Sequence, residues 1–596
     1  MSSKNTWLWL AAAAALFVFI FAFEHFRPRP DVGPVYLLPQ FDPKAVLTVQ
    51  IRPSGQREIR AEHTNGGWQL TEPVVYPAQG TNIQNFLDAL QRLTVAHQIP
   101  EQQLRKDPKA DEDYGIDPAE VSLVLTENDS TNWIHFGHRT SPGDQVFVRV
   151  IGMEGVSIVD AGVLNFLPQN ANAWRDTTLT DFARMNFDRI TVTNAVKSQS
   201  FLLERDATNK LWAMSFPMKA RADSEKVDDA VEKLEKLRVQ QFVSDDPKAD
   251  LESFGLQPPT LTLTFGEGTN TLLALDFGRA LTNSSGLMYA RRRDQNAVVA
   301  VSTNALGQWD ATYDIFRDRH LATMTGPIQT IQVQGQDAFS LQWQTNNSWR
   351  VMPQDFPADQ TLATGLARKL ADLQAADFVK DSVTEPDLPH YGLAPKPARK
   401  YILTWTSLPT ATNPPTELDF GTNSTGQIFA RRPGEDAVYG IAPADFEALP
   451  SASWELRDRR IWNFDVNDVA RLTVQQNGRT RQVIRTTNGW SLAAGSSGII
   501  NDSAIEDTAR ELGHLTAFAW VGHGAAKLAD FGFTAAGYRV SIELKSGDKL
   551  EVQFGGTTRL DSTYASVVLN GEPWIFEFPP DLYAAMQFCL AIPPSS

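Results

Sequence analysis

The closest histidine pair in the chain is His135 and His138, in the run His135-Phe136-Gly137-His138. Two imidazoles can begin a zinc site. Residues three apart on a strand face opposite sides, so both reach one metal only if Gly137 breaks the strand. The same place in the later repeats described below holds Asp276 with Arg279, then Asp419 with Thr422, so the pair does not recur. A metal site needs a closed ligand set, and neither a metal nor another cofactor is expected. Asp111-Glu112-Asp113 and Asp245-Asp246 offer carboxylates for Ca²⁺ but lack the spaced EF-hand pattern, and they read as solvated loops. Arg291-Arg292-Arg293 and Arg457-Asp458-Arg459-Arg460 could hold phosphate groups, but in an acidic chain they read as partners of local carboxylates. The chain has no GxxxxGK[ST] loop, no HExxH and no GxSxG elbow. Gly495-Ser496-Ser497-Gly498 is one residue too short for the elbow. A non-catalytic protein is expected.

The elements that must carry these residues are numerous. The chain has 596 residues, several domains' worth. It is 42% hydrophobic and 21% charged, the balance of a folded protein. A net charge of −16 argues against nucleic acid as a partner. Cys589 is the one cysteine, which excludes intrachain disulfides and cysteine-ligated metal centres.

Trp7 to Phe23 is a run of seventeen residues with no charged or polar side chain beyond its tryptophans. About 17–25 apolar residues cross a bilayer as a helix, so the run predicts a single-pass membrane anchor. Trp7 and Trp9 stand where an interfacial anchor would, and Phe19 and Phe23 close the apolar run. The segment after the run, Phe21-Ala22-Phe23-Glu24, makes a poor cleavage site, so an uncleaved anchor is expected over a signal peptide. Ala11 to Ala15 would allow close approach of a second helix. Arg27-Pro28-Arg29-Pro30 reads as a stiff linker. The basic flanks are nearly balanced. The bulk of the chain is expected outside the cytoplasm, at the inner membrane and in the periplasm.

The remainder is one unit written four times. Trp68, Trp212, Trp349 and Trp490 lie 144, 137 and 141 residues apart. An aromatic residue followed by Gly115, Gly255, Gly392 or Gly532 comes next, at intervals of 140, 137 and 140. A Phe-Gly step and a strand of the form VFVR, MYAR, IFAR or TYAS follow in each copy. Arg175-Asp176, Arg317-Asp318 and Arg457-Asp458 close the first three copies. The expected boundaries are residues 1–30 for anchor and linker, then modules at 31–181, 182–325, 326–461 and 462–596.

Each copy predicts an α+β module of mostly antiparallel sheet with a packed helix. Alternating strands come first, as in Leu47 to Ile51. A helix with apolar residues at i, i+3, i+4, i+7 and i+10 follows: Ile83, Phe86, Leu87, Leu90 and Leu93, or Val227, Ala230, Val231, Leu234 and Leu237. Asp223 or Ser224, and Asp502 or Ser503, are its expected N-caps. More strands follow, separated by turns such as 266–268 and 283–286. The tryptophans are expected to end hairpins and anchor cores. Each Arg-Asp is expected to be a structural ion pair at the junction to the next copy. Copy four lacks the proline that follows the aromatic-Gly step elsewhere (Pro118, Pro258, Pro395), the arginine of the Tyr-Ala-Arg strand, and the closing Arg-Asp. Terminal repeats are commonly atypical in this way.

The ordered set of Trp strand, aromatic-Gly-Leu-x-Pro step (Phe254 to Pro258), Phe-Gly step and Tyr-Ala-Arg strand resembles the domain-of-unknown-function 4340 family over most of residues 44–596. The resemblance implies a membrane-anchored protein, often with several copies of the domain. Such proteins are often associated with gliding-motility-type ABC transport systems. The resemblance implies no catalytic residue. The expected role is therefore an accessory or scaffold at the bilayer, with an integral membrane partner such as an ABC permease. A binding module for an envelope glycan or peptide polymer is the alternative, and an uncharacterised enzyme is a third.

Overall fold

A computed structural model describes residues 3–25, 33–128, 130–282, 284, 286–323, 326–405, 415–558 and 561–592. Asn283 and Ser285 of one expected turn, and the whole Arg27–Pro30 linker, lie outside the described residues.

Alternating apolar residues and turn chemistry generate four antiparallel sheets, three of nine strands and one of eight. In the first sheet a meander runs outward from Val46–Pro53 through Ile59–Thr64 and Gly67–Glu72 to the short Tyr76–Pro77 edge. On its other side Val46–Pro53 pairs with Val121–Glu127. Thr131–Arg139, Gln145–Val150 and Val156–Asp160 follow, and Val95–Ile99 closes the far edge. The second and third sheets repeat this order, and the fourth lacks only the short edge strand.

One helix crosses each sheet, in the place its apolar stripe predicts: Gly80–Gln91, Ser224–Glu235, Gln360–Asp372 and Asp502–Gly513. Ile83, Phe86, Leu87 and Leu90 are buried on the first. Ile505, Ala509 and Leu512 are buried on the fourth. Asp223 caps the second helix through the Lys226 amide. In the fourth the cap is Asn501, which accepts from the Ala504 amide, rather than Asp502 or Ser503. The Asp502 carboxylate turns back to the Trp490 amide instead. The tryptophans open the third strand of each sheet rather than closing one.

The chain divides into two compact units, Met1–Arg317 and Asp318–Ser596, each holding two sheets. In the second unit a single buried cluster runs from Leu321 to Leu590 through both sheets. In the first unit Tyr76 of the first module packs into the second module's core.

Ser3–His25 is one helix of 23 residues, and Trp7, Trp9, Phe19 and Phe23 on it are exposed. Among the described residues, no helix is long and apolar enough to cross a membrane. The expected transmembrane span is not found as such. At 1.5 Å per residue the uncharged Trp7–Phe23 run reaches only about 25 Å, short of a hydrocarbon core of about 30 Å.

Candidate functional site

The repeat landmarks converge on two places in each module. The first is a backbone crossing. The residue before each landmark glycine is an aromatic whose ring meets the aromatic of the Tyr-Ala-Arg strand. The pairs are Tyr114–Phe147 at 4.5 Å, Phe254–Tyr289 at 4.9 Å, Tyr391–Phe429 at 5.1 Å and Phe531–Tyr564 at 4.9 Å between centroids. The carbonyls of Tyr114 and Phe254 accept from the amides of His138 and Arg279, at 2.8 and 3.0 Å. This crossing lays the turn directly over the Phe-Gly step.

The second place is the arginine that closes a module. The Arg175 side chain is wholly buried. Its guanidinium carbon lies 4.1 Å from the Tyr76 ring centroid and 3.7 Å from that of Phe242. The two nitrogens Nη1 and Nη2 donate to Asp245 at 2.9 and 2.7 Å. Tyr76 belongs to the first module, and Phe242 and Asp245 to the second, so one planar cation ties two modules together. Burial raises the Tyr76 hydroxyl above its ordinary pKa, and the Arg175 charge opposes that shift.

The expected ion pair within the first Arg-Asp is therefore corrected. The partner of Arg175 is Asp245, not Asp176. Adjacent residues on extended backbone point apart, so the neighbouring aspartate cannot face the guanidinium. Asp176, Asp318 and Asp458 instead accept the amides of Thr178, His320 and Arg460, at 2.8, 2.9 and 3.0 Å, each fixing the turn into the following module. Arg317 is also buried, and pairs with Asp314 at 3.1 Å.

The junction in the second unit has different chemistry. The Arg457 guanidinium lies 3.9 Å from the Trp574 centroid, 5.1 Å from Phe356 and 5.7 Å from Trp520. Eight residues after Leu237, Leu373 and Leu515, the three later modules carry Asp245, Asp381 and His523. His523 thus replaces the junction carboxylate. Its ring stacks on Trp574 at 4.8 Å, and Nδ1 sits 2.8 Å from Glu572. Burial lowers the Arg457 pKa, and the Asp458 and Glu572 charges oppose the shift. Sequence reasoning missed Tyr76, Phe242, Trp574 and His523 here; the constant offset of eight from the helix-end leucine is the signal that finds the last.

The remaining candidates are engaged elsewhere. His138 bonds the Asp113 carbonyl and the Glu120 carboxylate, each at 3.1 Å, and does not join His135. Among the described residues no three His, Cys, Asp or Glu side chains are grouped to hold a metal. Arg292 forks onto Asp294, Arg293 onto Asp276, and Arg149 onto Asp111. The Asp111 hydrogen bond raises the Arg149 pKa further. The Trp212 and Trp490 indoles donate to Asp228 and Glu506 at 2.9 Å. Trp349 is buried and Trp68 half-buried.

A family model described as a domain of unknown function (DUF4340) matches residues 68–211, 212–354 and 349–533. The matches begin at Trp68, Trp212 and Trp349, so each is offset from the sheets. Strands Arg189–Asn194 and Gln199–Arg205 fall in the first match but build the second sheet. No curated protein matches the chain. The three matches together cover well over half of the sequence, and the chain belongs to the DUF4340 family.

Proposed function

We propose that this chain is a membrane-anchored, non-catalytic repeat protein that works by contact, as an accessory or scaffold of an ABC-type transporter or envelope assembly. The observation that carries this reading is the use made of the repeated polar residues. Arg175 is tied to Asp245 across the first two modules, and Arg149 and Arg292 to Asp111 and Asp294 within theirs. Repeated residues spent this way supply rigid spacing rather than reactivity.

The anchor in this reading is the Ser3–His25 helix, on which Trp7, Trp9, Phe19 and Phe23 are exposed. Local bilayer thinning and interfacial placement of Trp7 and Trp9 would accommodate its short uncharged run. The Ala11 and Ala15 surface is where a partner helix would approach. The bulk of the chain would then stand on the periplasmic side of the inner membrane. Purification of full-length protein in mild detergent, with mass spectrometry of what accompanies it, tests the proposal. An ABC permease or its ATPase in near-equal amount supports it. A protein that emerges alone overturns it.

A further inference from the structure

Three of the four modules fill one groove with their own chain, and among the described residues the fourth has no segment there. The groove lies between the Trp strand and the start of the helix. In the first three modules the helix-capping residues are Gln79, Asp223 and Asp359. Their amides donate to the carbonyls of Trp174, Phe316 and Leu456, each at 2.8 Å. Those acceptors immediately precede Arg175, Arg317 and Arg457. The arginines themselves bridge to Ala78, Ala222 and Ala358. A return bond runs from the Asp176 amide to the Pro77 carbonyl, and from Asp458 to Pro357, both at 2.9 Å. An extended segment of form apolar-Arg-Asp is thus added to the sheet margin by backbone pairing.

In the fourth module the capping residue is Asn501, and the residues equivalent to Pro77 and Ala78 are Ile499 and Ile500. The Asn501 amide has no hydrogen-bond acceptor among the described residues. The Ile499 side chain is 91% exposed. Its carbonyl accepts from Arg481 at 2.7 Å, which leaves a second lone pair. An open groove of about 770 Å³ lies here, lined in part by Arg485, Gly489, Asn501, Asp502 and Glu506. Arg481, which holds the Ile499 carbonyl, also receives residues 589–591. Cys589 and Ala591 place their carbonyls on the same Arg481 guanidinium rather than on Asn501.

We infer that this groove binds an extended segment of a partner protein by backbone pairing, as the other three grooves bind their own connectors. The segment offers a carbonyl to the Asn501 amide and an amide to the Ile499 carbonyl. It lays an apolar side chain against Ile499. Two carboxylates against one guanidinium in the lining favour a basic residue beside that apolar one. Gly498 stands where Tyr76 and Phe356 supply a ring, so the groove reads backbone and shape more than the guanidinium. This deepens the contact-based reading and rests on it, but not on the identity of a transporter.

The test uses full-length protein in detergent and a fluorescein-labelled peptide of the chain's own first connector, Asn172 to Leu179. Saturable binding by fluorescence anisotropy is expected, together with slowed hydrogen exchange at residues 500–502. An N-methyl group on the peptide's aspartate amide should weaken binding by about tenfold or more, since it removes the return bond. Ile499→Glu, at an exposed position, should weaken it comparably while leaving thermal unfolding unchanged. Absence of saturable binding overturns the inference, as does equal affinity for the N-methylated peptide and for I499E. Binding that appears only after residues 593–596 are deleted also overturns it, by assigning the groove to the chain's own tail. A permease that co-purifies equally with I499E would leave the contact-based function standing while this groove fails.

Discussion

Gly137 lies directly beneath the carbonyl of Tyr114, so closely that a Cβ on Gly137 would collide with that oxygen. Gly278 meets Phe254, Gly421 meets Tyr391 and Gly555 meets Phe531 in the same way. The two glycine landmarks of each copy are therefore two sides of one contact. Gly115 itself has φ of +66°, which lets the turn reverse over the strand.

Gly137→Ala should destabilise the first module by about 2–4 kcal/mol, since the obstacle is backbone and cannot rotate away. Thermal unfolding of the full-length protein checks this. Gly66→Ala, where a Cβ meets only the Thr64 hydroxyl at 4.0 Å, should be nearly neutral and serves as the control.

Gly365 sits inside the Gln360–Asp372 helix with open space where a Cβ would lie. Gly365→Ala should raise stability of the second unit by about 0.5–1 kcal/mol, because the unfolded chain loses more freedom with glycine. Denaturant midpoints of wild type and variant decide it.

Asp245→Asn should cost about 1–3 kcal/mol. It leaves a wholly buried guanidinium with a weaker acceptor, although Asp245 is itself 37% exposed and partly screened. Proteolysis between the first two modules should accelerate in step with the loss of stability. Arg175→Met with Asp245→Leu should recover part of it, since a buried pair replaced by apolar residues avoids the desolvation cost.

His523→Asp would place at the second-unit junction the carboxylate that the first-unit junction carries. Loss of the Trp574 stack and of the Glu572 hydrogen bond, with two carboxylates now side by side, should outweigh attraction to Arg457 and destabilise this unit by about 0.5–1.5 kcal/mol. Unfolding of the variant at neutral pH and low salt, compared with wild type, reads the sign.

Deletion of residues 1–30 should move the protein from the membrane fraction to the soluble one, with the unfolding profile of the four sheets unchanged. Fractionation of cells expressing both forms checks it.

The amino-acid pattern alone determined the periodic features. Repeats recur because the same fold needs the same residues at the same interval, and a 3.6-residue apolar stripe such as Ile83 to Leu93 must cover a sheet. The four antiparallel sheets and their helices were legible from those periods. So was the departure of the fourth copy. Tertiary structure decided the pairings. Arg175 and Asp245 are 70 residues apart, and nothing in local sequence says that a guanidinium skips the adjacent Asp176 to reach across to the next module. The Asn501 amide, without an acceptor among the described residues, was equally hidden. In the other three modules a segment about 95 residues beyond the capping residue folds back and accepts from its amide. Spacing along the chain fixes which faces are apolar, but contacts between distant residues are chosen by packing, which periodicity does not encode.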